Sequence, residues 1–151
     1  NPEVEVWCDA TELERLAGQA RLFPPRDPRT EDLWGRAVDL YQGDFLPSLD
    51  ADWVYSRRDG LQETFLEALL GLGECMKARS DYRSAIVTYK RALTIDPYRE
   101  DIHRAIMICY ARLGEKKQIQ THMRELQEMF LHELRLSPSA ETVTLAANLL
   151  R

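Results

Sequence analysis

Apolar residues recur at every third or fourth position through most of the chain, as they do along the buried face of an amphipathic helix. The clearest series runs through Leu61, Phe65, Leu69, Leu72 and Met76. Shorter series of the same kind, separated by proline and glycine, predict about seven helices and negligible sheet. The predicted segments are N-terminal helices at 9–42, a connecting loop at 43–52, paired helices at 61–134 and a capping helix at 138–150.

Residues that favour helix ends indicate where these segments begin. The predicted N-caps are Asp9 or Thr11, Thr30, Ser80 with Asp81, and Ser137, the last followed by Pro138 at the first helical position. Ahead of the first helix, Val4 and Val6 alternate with two glutamates. That alternation favours a short extended segment over residues 3–7.

Small and large residues occupy fixed offsets in a window that ends at Pro97. Gly73 and Ala85 are small enough to let two helices approach closely. Met76 and Tyr89 are large enough to fill the space that remains between those helices. This pattern resembles the tetratricopeptide repeat, a helix pair of about 34 residues. The matching positions are Leu69, Leu72, Gly73, Met76, Ala85, Tyr89 and Ala92. The resemblance implies an all-α fold, a tetratricopeptide-like array of helical hairpins.

A weaker second copy follows one repeat length later. Its matching positions are Ile106, Tyr110, Gly114, Ile119, Met123 and Leu126. Met107 and Ile119 stand where the first copy has small residues, so this pair is expected to pack less closely or at a different angle. Cys75 and Cys109 hold the same place in the two copies, and we expect both to be buried and reduced.

Composition predicts one compact domain. The chain has 151 residues, of which 44% are hydrophobic and 30% are charged, enough for a single core. Its net charge of −5 argues against nucleic-acid binding by this chain itself, because phosphate attraction needs a concentrated basic face.

The sequence carries no signal peptide and no apolar stretch long enough to span a membrane, and three cysteines at irregular spacing form no disulfide framework. We therefore expect a cytoplasmic protein without membrane association. Because the chain begins at Asn1 rather than methionine, we expect a processed product or a piece of a longer polypeptide.

No catalytic or cofactor-binding pattern stands out in the sequence. Glycine-rich phosphate loops, nucleophile elbows and metalloprotease helices are absent. His103, His122 and His132 are not spaced with cysteine or carboxylate as a zinc site requires, and we interpret them as surface or groove histidines. We predict a protein that is not an enzyme and that binds no cofactor and no metal.

Binding is the better-supported role. In a tetratricopeptide stack, the first helices of successive pairs line a concave surface. The inward-facing positions here are Glu67, Leu70, Glu74, Lys77, Asp101, Arg104, Ile108 and Arg112. We predict that this candidate groove takes a peptide, a helix of a neighbouring domain or a polar small molecule. Arg104 and Arg112 could hold a carboxylate or phosphate by bidentate hydrogen bonds. The alternative, that these side chains pair within the stack and bind nothing, stays open.

The segment from Tyr41 to Glu63, followed by the repeat, resembles the bacterial transcriptional activator domain of SARP-type regulators. The residues that carry the resemblance are Gly43, Asp44, Phe45, Leu46, Trp53, Arg57, Arg58 and Leu61, together with Glu133, Leu134, Pro138, Glu141 and Thr142 near the C-terminus. In that family the domain usually follows a winged helix-turn-helix domain, and the two activate promoters by contacting DNA and RNA polymerase. We expect the DNA-binding domain of such a regulator to lie outside these 151 residues.

The resemblance implies a regulatory and protein-interaction module. Its expected partners are a DNA-binding domain of the same regulator, a second protomer, RNA polymerase or a small-molecule effector, with DNA reached only through the separate domain. Two alternatives stay open: a free-standing tetratricopeptide adaptor that binds a peptide tail, and a small-molecule sensor domain.

Overall fold

A computed structural model of the chain describes residues 2–41 and 51–151. These residues form α-helices and one π-helical segment, and no strand occurs among them. The elements are α1 (Pro2–Ala20), α2 (Pro28–Leu40), α3 (Asp52–Ala78), α4 (Tyr82–Ile95), α5 (Glu100–Arg112), α6 (Lys116–Met129), the π segment (Phe130–Leu134) and α7 (Ala140–Leu150). The predicted all-α helical array of about seven helices is confirmed.

The helices form two compact units, Asn1–Arg79 and Ser80–Arg151. In the first unit, α2 packs against α1 and α3, and α1 also contacts α3. Trp34 on α2 is buried in this unit, next to a glycine of α3. A Cβ added at Gly71 would lie 2.4 Å from atoms of the Trp34 indole, so only glycine lets α3 pass this close to the ring.

Charged side chains join different helices of the first unit at its surface. Arg79 pairs with Glu31 at 3.0 Å, and Arg57 pairs with Glu14. Burial, together with the nearby negative charges of Glu31 and Glu74, raises the pKa of the Cys75 thiol to about 11. Cys75 and Cys109 are both buried free thiols, as the sequence predicts.

In the second unit, α5 is the central helix. It packs against α4, α6 and α7, and α6 also contacts α7. Every residue that matches the second repeat copy is buried except Gly114, which lies in the turn between α5 and α6. Gly114 has φ +74°, the left-handed conformation that favours glycine.

Two predicted helix starts in the first unit are wrong. Residues 3–7 belong to α1 rather than to an extended segment, so neither Asp9 nor Thr11 caps that helix. Pro2 at the first helical position followed by acidic residues suits a helix N-terminus better than a strand. The cap of α2 is Asp27, whose side chain accepts a hydrogen bond from the Arg29 N–H.

Thr30, the predicted cap of α2, is buried inside that helix. Its hydroxyl donates to the Pro24 carbonyl over 2.8 Å. Most of the predicted connecting loop at 43–52 lies outside the described residues, and so do Gly43, Asp44, Phe45 and Leu46 of the family resemblance.

The remaining helix boundaries follow the sequence with one further correction. Asp81 caps α4, as predicted, by accepting from the Ser84 N–H. The last helix begins at Ala140 and is capped by Ser139, not by Ser137. Ser139 is favoured over Ser137 as the cap because its N–H and hydroxyl also donate to Glu100 at the start of α5.

Candidate functional site

Four of the eight predicted groove residues lie on α3. Glu67 accepts two hydrogen bonds from the guanidinium of Arg21, which follows the end of α1, and one of them is 2.7 Å long. Glu74 and Lys77 pair with each other along the helix at 3.0 Å. Leu70 is half-buried. The three charged positions on α3 are therefore engaged within the first unit.

The other four predicted groove residues lie on α5. Asp101 pairs with Arg99 at 2.7 Å, and Ile108 is half-buried. Arg104 donates to the Thr142 hydroxyl over 3.0 Å and lies 3.5 Å from Glu141, both on α7. This contact holds Arg104 against the last helix.

Arg112, the last of the predicted groove residues, is the free cation of the α5 set. Its side chain is exposed, and within residues 2–41 and 51–151 it takes part in no ion pair. The sequence predicts that Arg104 and Arg112 together hold an anion. In the structure, Arg104 contacts α7, whereas Arg112 takes part in no ion pair of the described residues.

The structure brings together two histidines that sequence reasoning separated. His103 Nδ1 on α5 lies 2.9 Å from His122 Nε2 on α6, and His103 Nε2 lies 2.8 Å from the Pro97 carbonyl oxygen. His103 is only 6% exposed, so it is not a surface histidine, although it lines a cleft. His132 is exposed, as expected.

The hydrogen bonds fix the protonation of both rings when they are neutral. A carbonyl oxygen only accepts, so Nε2 of His103 carries the proton and its Nδ1 is an acceptor. The Nε2 of His122 must then donate to that acceptor. The unprotonated atom of the His122 ring is therefore Nδ1.

Both imidazoles resist protonation. Burial lowers the pKa of His103, although the Pro97 carbonyl and nearby Glu100 and Asp101 act against it. Burial lowers the pKa of His122 to about 4, reinforced by His103 and by the positive charge of Lys90. The pair is neutral at physiological pH.

The histidine pair lies beside an open cleft of about 350 Å³ within the second unit, which we call the histidine cleft. It is bounded by α4, α5 and α6. The lining residues are Lys90, Leu93, His103, Tyr110, Gln118, Thr121, His122, Glu125, Leu126 and Met129. The ammonium of Lys90 lies 5.8 Å from the centre of the Tyr110 ring, within the range of a cation–π interaction.

Sequence reasoning missed this cleft, although the chain carries a signal for it. His103 precedes Met107 by four positions on the buried stripe of α5, and His122 follows Ile119 by three on that of α6. Two polar rings on the facing stripes of one helical hairpin are placed to meet. Only the depth of each ring and the position of the Pro97 carbonyl required the structure.

A second cleft, of about 520 Å³, lies in the first unit between the end of α1 and the start of α2. Its walls are mainly apolar, with Leu22, Phe23 and Leu33. Arg29 on its rim stacks over the Phe23 ring at 4.0 Å and pairs with Asp27. This cleft offers apolar contact but few free polar groups.

Within residues 2–41 and 51–151, His, Cys, Asp and Glu side chains form no group of three or more able to hold a metal ion. In the same residues, no helix is both long and apolar enough to cross a membrane.

The described residues form an all-α helical array with the two clefts just described. The family model described as the bacterial transcriptional activator domain matches residues 8–150. The chain therefore belongs to the bacterial transcriptional activator domain family, a regulatory family and not an enzyme family. Comparison with curated proteins and with solved structures found no match.

Proposed function

We propose that this chain is the regulatory and protein-interaction module of a SARP-type transcriptional regulator. In this proposal, binding of a partner, an effector or a second protomer to the module alters DNA binding by a separate winged-helix domain. The family match carries the proposal, because it spans residues 8–150 and so includes helices of both compact units. The net charge of −5 supports a role in protein contact rather than direct DNA contact.

We place the partner contact on the exposed side of α5. Arg112 is the predicted groove residue with a free charge in the described chain, and Ile108, four positions earlier, is half-buried on the same helix. A guanidinium beside a partly exposed aliphatic side chain suits an acidic, amphipathic segment of a partner protein. Arg104 has a supporting role in this proposal, because it holds α7 against α5.

The test is promoter activation in vitro with RNA polymerase and the full regulator, with and without residues 8–150. Removal of these residues is expected to abolish activation. Arg112→Ala is expected to reduce activation about tenfold, the effect of losing one charge-assisted contact. Arg124→Ala is the matched control, because Arg124 is an exposed arginine on α6 outside the predicted groove. Full activation without residues 8–150 would refute the proposal, and equal loss in both variants would remove α5 from the contact.

A further inference from the structure

We propose that the histidine cleft binds a free α-amino acid with an apolar side chain. The inference rests on the proposed function, since it names the chemical class of effector that the regulatory module would take. Three features of the histidine cleft support the inference: an acceptor on His122, two opposite charges on the rim, and an apolar wall.

The acceptor follows from the hydrogen-bond chain that begins at Pro97. His103 donates to the Pro97 carbonyl, and His122 donates to His103, which leaves Nδ1 of His122 as a lone pair. His122 lines the cleft, so this lone pair is available to a ligand that carries an N–H group. The neutral imidazole of His122 can accept a hydrogen bond from an ammonium group at this atom.

The two charges stand on different helices of the cleft. Lys90 lies on α4 and Glu125 on α6, and both are exposed cleft residues. Within residues 2–41 and 51–151, neither side chain pairs with an opposite charge of the protein. Lys90 can therefore take a ligand carboxylate, while Glu125 and His122 take the ligand ammonium. An α-amino acid carries these two groups on one carbon.

The apolar wall of the cleft determines which side chain the amino acid carries. Leu93, Leu126 and Met129 also line the cleft, and methionine adapts its shape to irregular aliphatic groups. A volume of about 350 Å³ is near the lower end of small-molecule sites. A branched aliphatic side chain fits this wall better than a polar or charged one.

The test is a titration of the 151-residue chain with L-leucine, followed by NMR of the histidine ring protons. The His122 signals should shift and saturate, with a dissociation constant on the order of 1 mM. The exposed His132 ring, outside the cleft, should not move. 4-Methylpentanoate lacks the ammonium and 3-methylbutylamine lacks the carboxylate. Each should bind about tenfold more weakly than L-leucine, because each loses a charge-assisted hydrogen bond.

Variants assign the contacts to residues. Lys90→Met and Glu125→Gln should each weaken L-leucine binding about tenfold, because each removes one charge from the rim. Lys117→Met and Glu128→Gln are matched controls, being exposed residues of α6 that do not line the cleft. All four positions are exposed, and circular dichroism checks that each variant keeps its helices.

Three results would overturn the inference. One is the absence of a His122 shift up to about 20 mM L-leucine, far above the expected dissociation constant. Another is binding of either truncated compound as tight as that of L-leucine, and the third is a loss of binding in the control variants equal to that in Lys90→Met and Glu125→Gln. The titration contains no DNA and no polymerase, so its failure is distinct from failure of the promoter test. A chain that binds L-leucine but is dispensable for promoter activation would refute the proposed function and leave the amino-acid site standing.

Discussion

At the scale of single residues, one close approach in the first unit depends on a missing side chain. Gly71 faces the buried indole of Trp34, and an added Cβ would meet the ring at 2.4 Å. The sequence singled out Gly73, not Gly71, as the close-contact glycine of α3. The contact of Gly71 with Trp34 depends on the crossing of α2 and α3, which no spacing rule specifies.

Gly71→Ala is expected to destabilise the chain by about 1–2 kcal/mol, because overpacking against a rigid ring exceeds the gain in helix propensity. Gly60→Ala in the same helix is the control, since no atom lies within 4 Å of an added Cβ there. That variant should gain up to about 1 kcal/mol. Urea unfolding measures both, and stabilisation by Gly71→Ala would show that the indole moves aside easily.

The histidine pair gives a pH dependence whose sign follows from its lowered pKa values. An unfolded imidazole has a pKa of about 6.5, and that of folded His122 is about 4. Between these values the unfolded chain binds more protons, so the free energy of unfolding should fall as the pH is lowered from about 6.5 to about 4. His122 should account for a loss on the order of 2 kcal/mol over that range.

Urea unfolding at several pH values checks this dependence. His122→Gln should show a shallower slope, because its amide can still donate to His103 but does not titrate. His132→Gln should keep the full slope, since that histidine is exposed. Identical slopes for the chain with and without His122 would contradict the assignment.

At the scale of helices, the boundaries were predicted best where a helix-breaking residue and an N-cap residue mark them in the sequence. Asp81 caps α4, as predicted, Pro97 follows the end of that helix, and Gly114 turns the chain from α5 to α6. The starts of α1, α2 and α7 were predicted wrongly. For α7, a long-range partner decided between two neighbouring serines, and local sequence does not contain that partner.

That partner is Glu100, which joins the starts of α5 and α7. Its carboxylate accepts from the Ser139 N–H at 3.0 Å, from the Ser139 hydroxyl at 2.7 Å and from the buried Thr142 hydroxyl. Burial alone would raise the pKa of Glu100, but the hydrogen bonds from Thr142 and Ser139 together lower it. The ionised carboxylate therefore stabilises the fold at neutral pH.

Glu100→Gln is expected to cost about 1–3 kcal/mol, because an amide cannot accept these bonds through both of its polar atoms. Amide hydrogen exchange should accelerate most in α7. The difference from the unchanged chain should shrink as the pH falls through the lowered pKa of Glu100, where its carboxylate takes up a proton. Glu128→Gln, an exposed change on α6, serves as the control, and equal effects of the two changes would argue against a specific contact.

At the scale of the whole molecule, the fold class and the family were predicted from sequence, while the depth of the histidine cleft required the structure. Regular apolar spacing predicts most of the helices, and the family resemblance near Trp53 agrees with the match over residues 8–150. The eight groove residues remain a prediction. Their partners within the chain, such as Arg21 for Glu67 and Thr142 for Arg104, come from segments distant in sequence. Such pairings require the three-dimensional arrangement.

The high pKa of the Cys75 thiol protects this residue from oxidation. Peroxides and alkylating agents attack the thiolate, and a thiol with a pKa of about 11 holds on the order of one thiolate in ten thousand molecules at neutral pH. The Cys75 thiol is therefore unreactive, and it contributes to packing in the interior. Peroxide should leave it unmodified for as long as the surrounding helices stay closed.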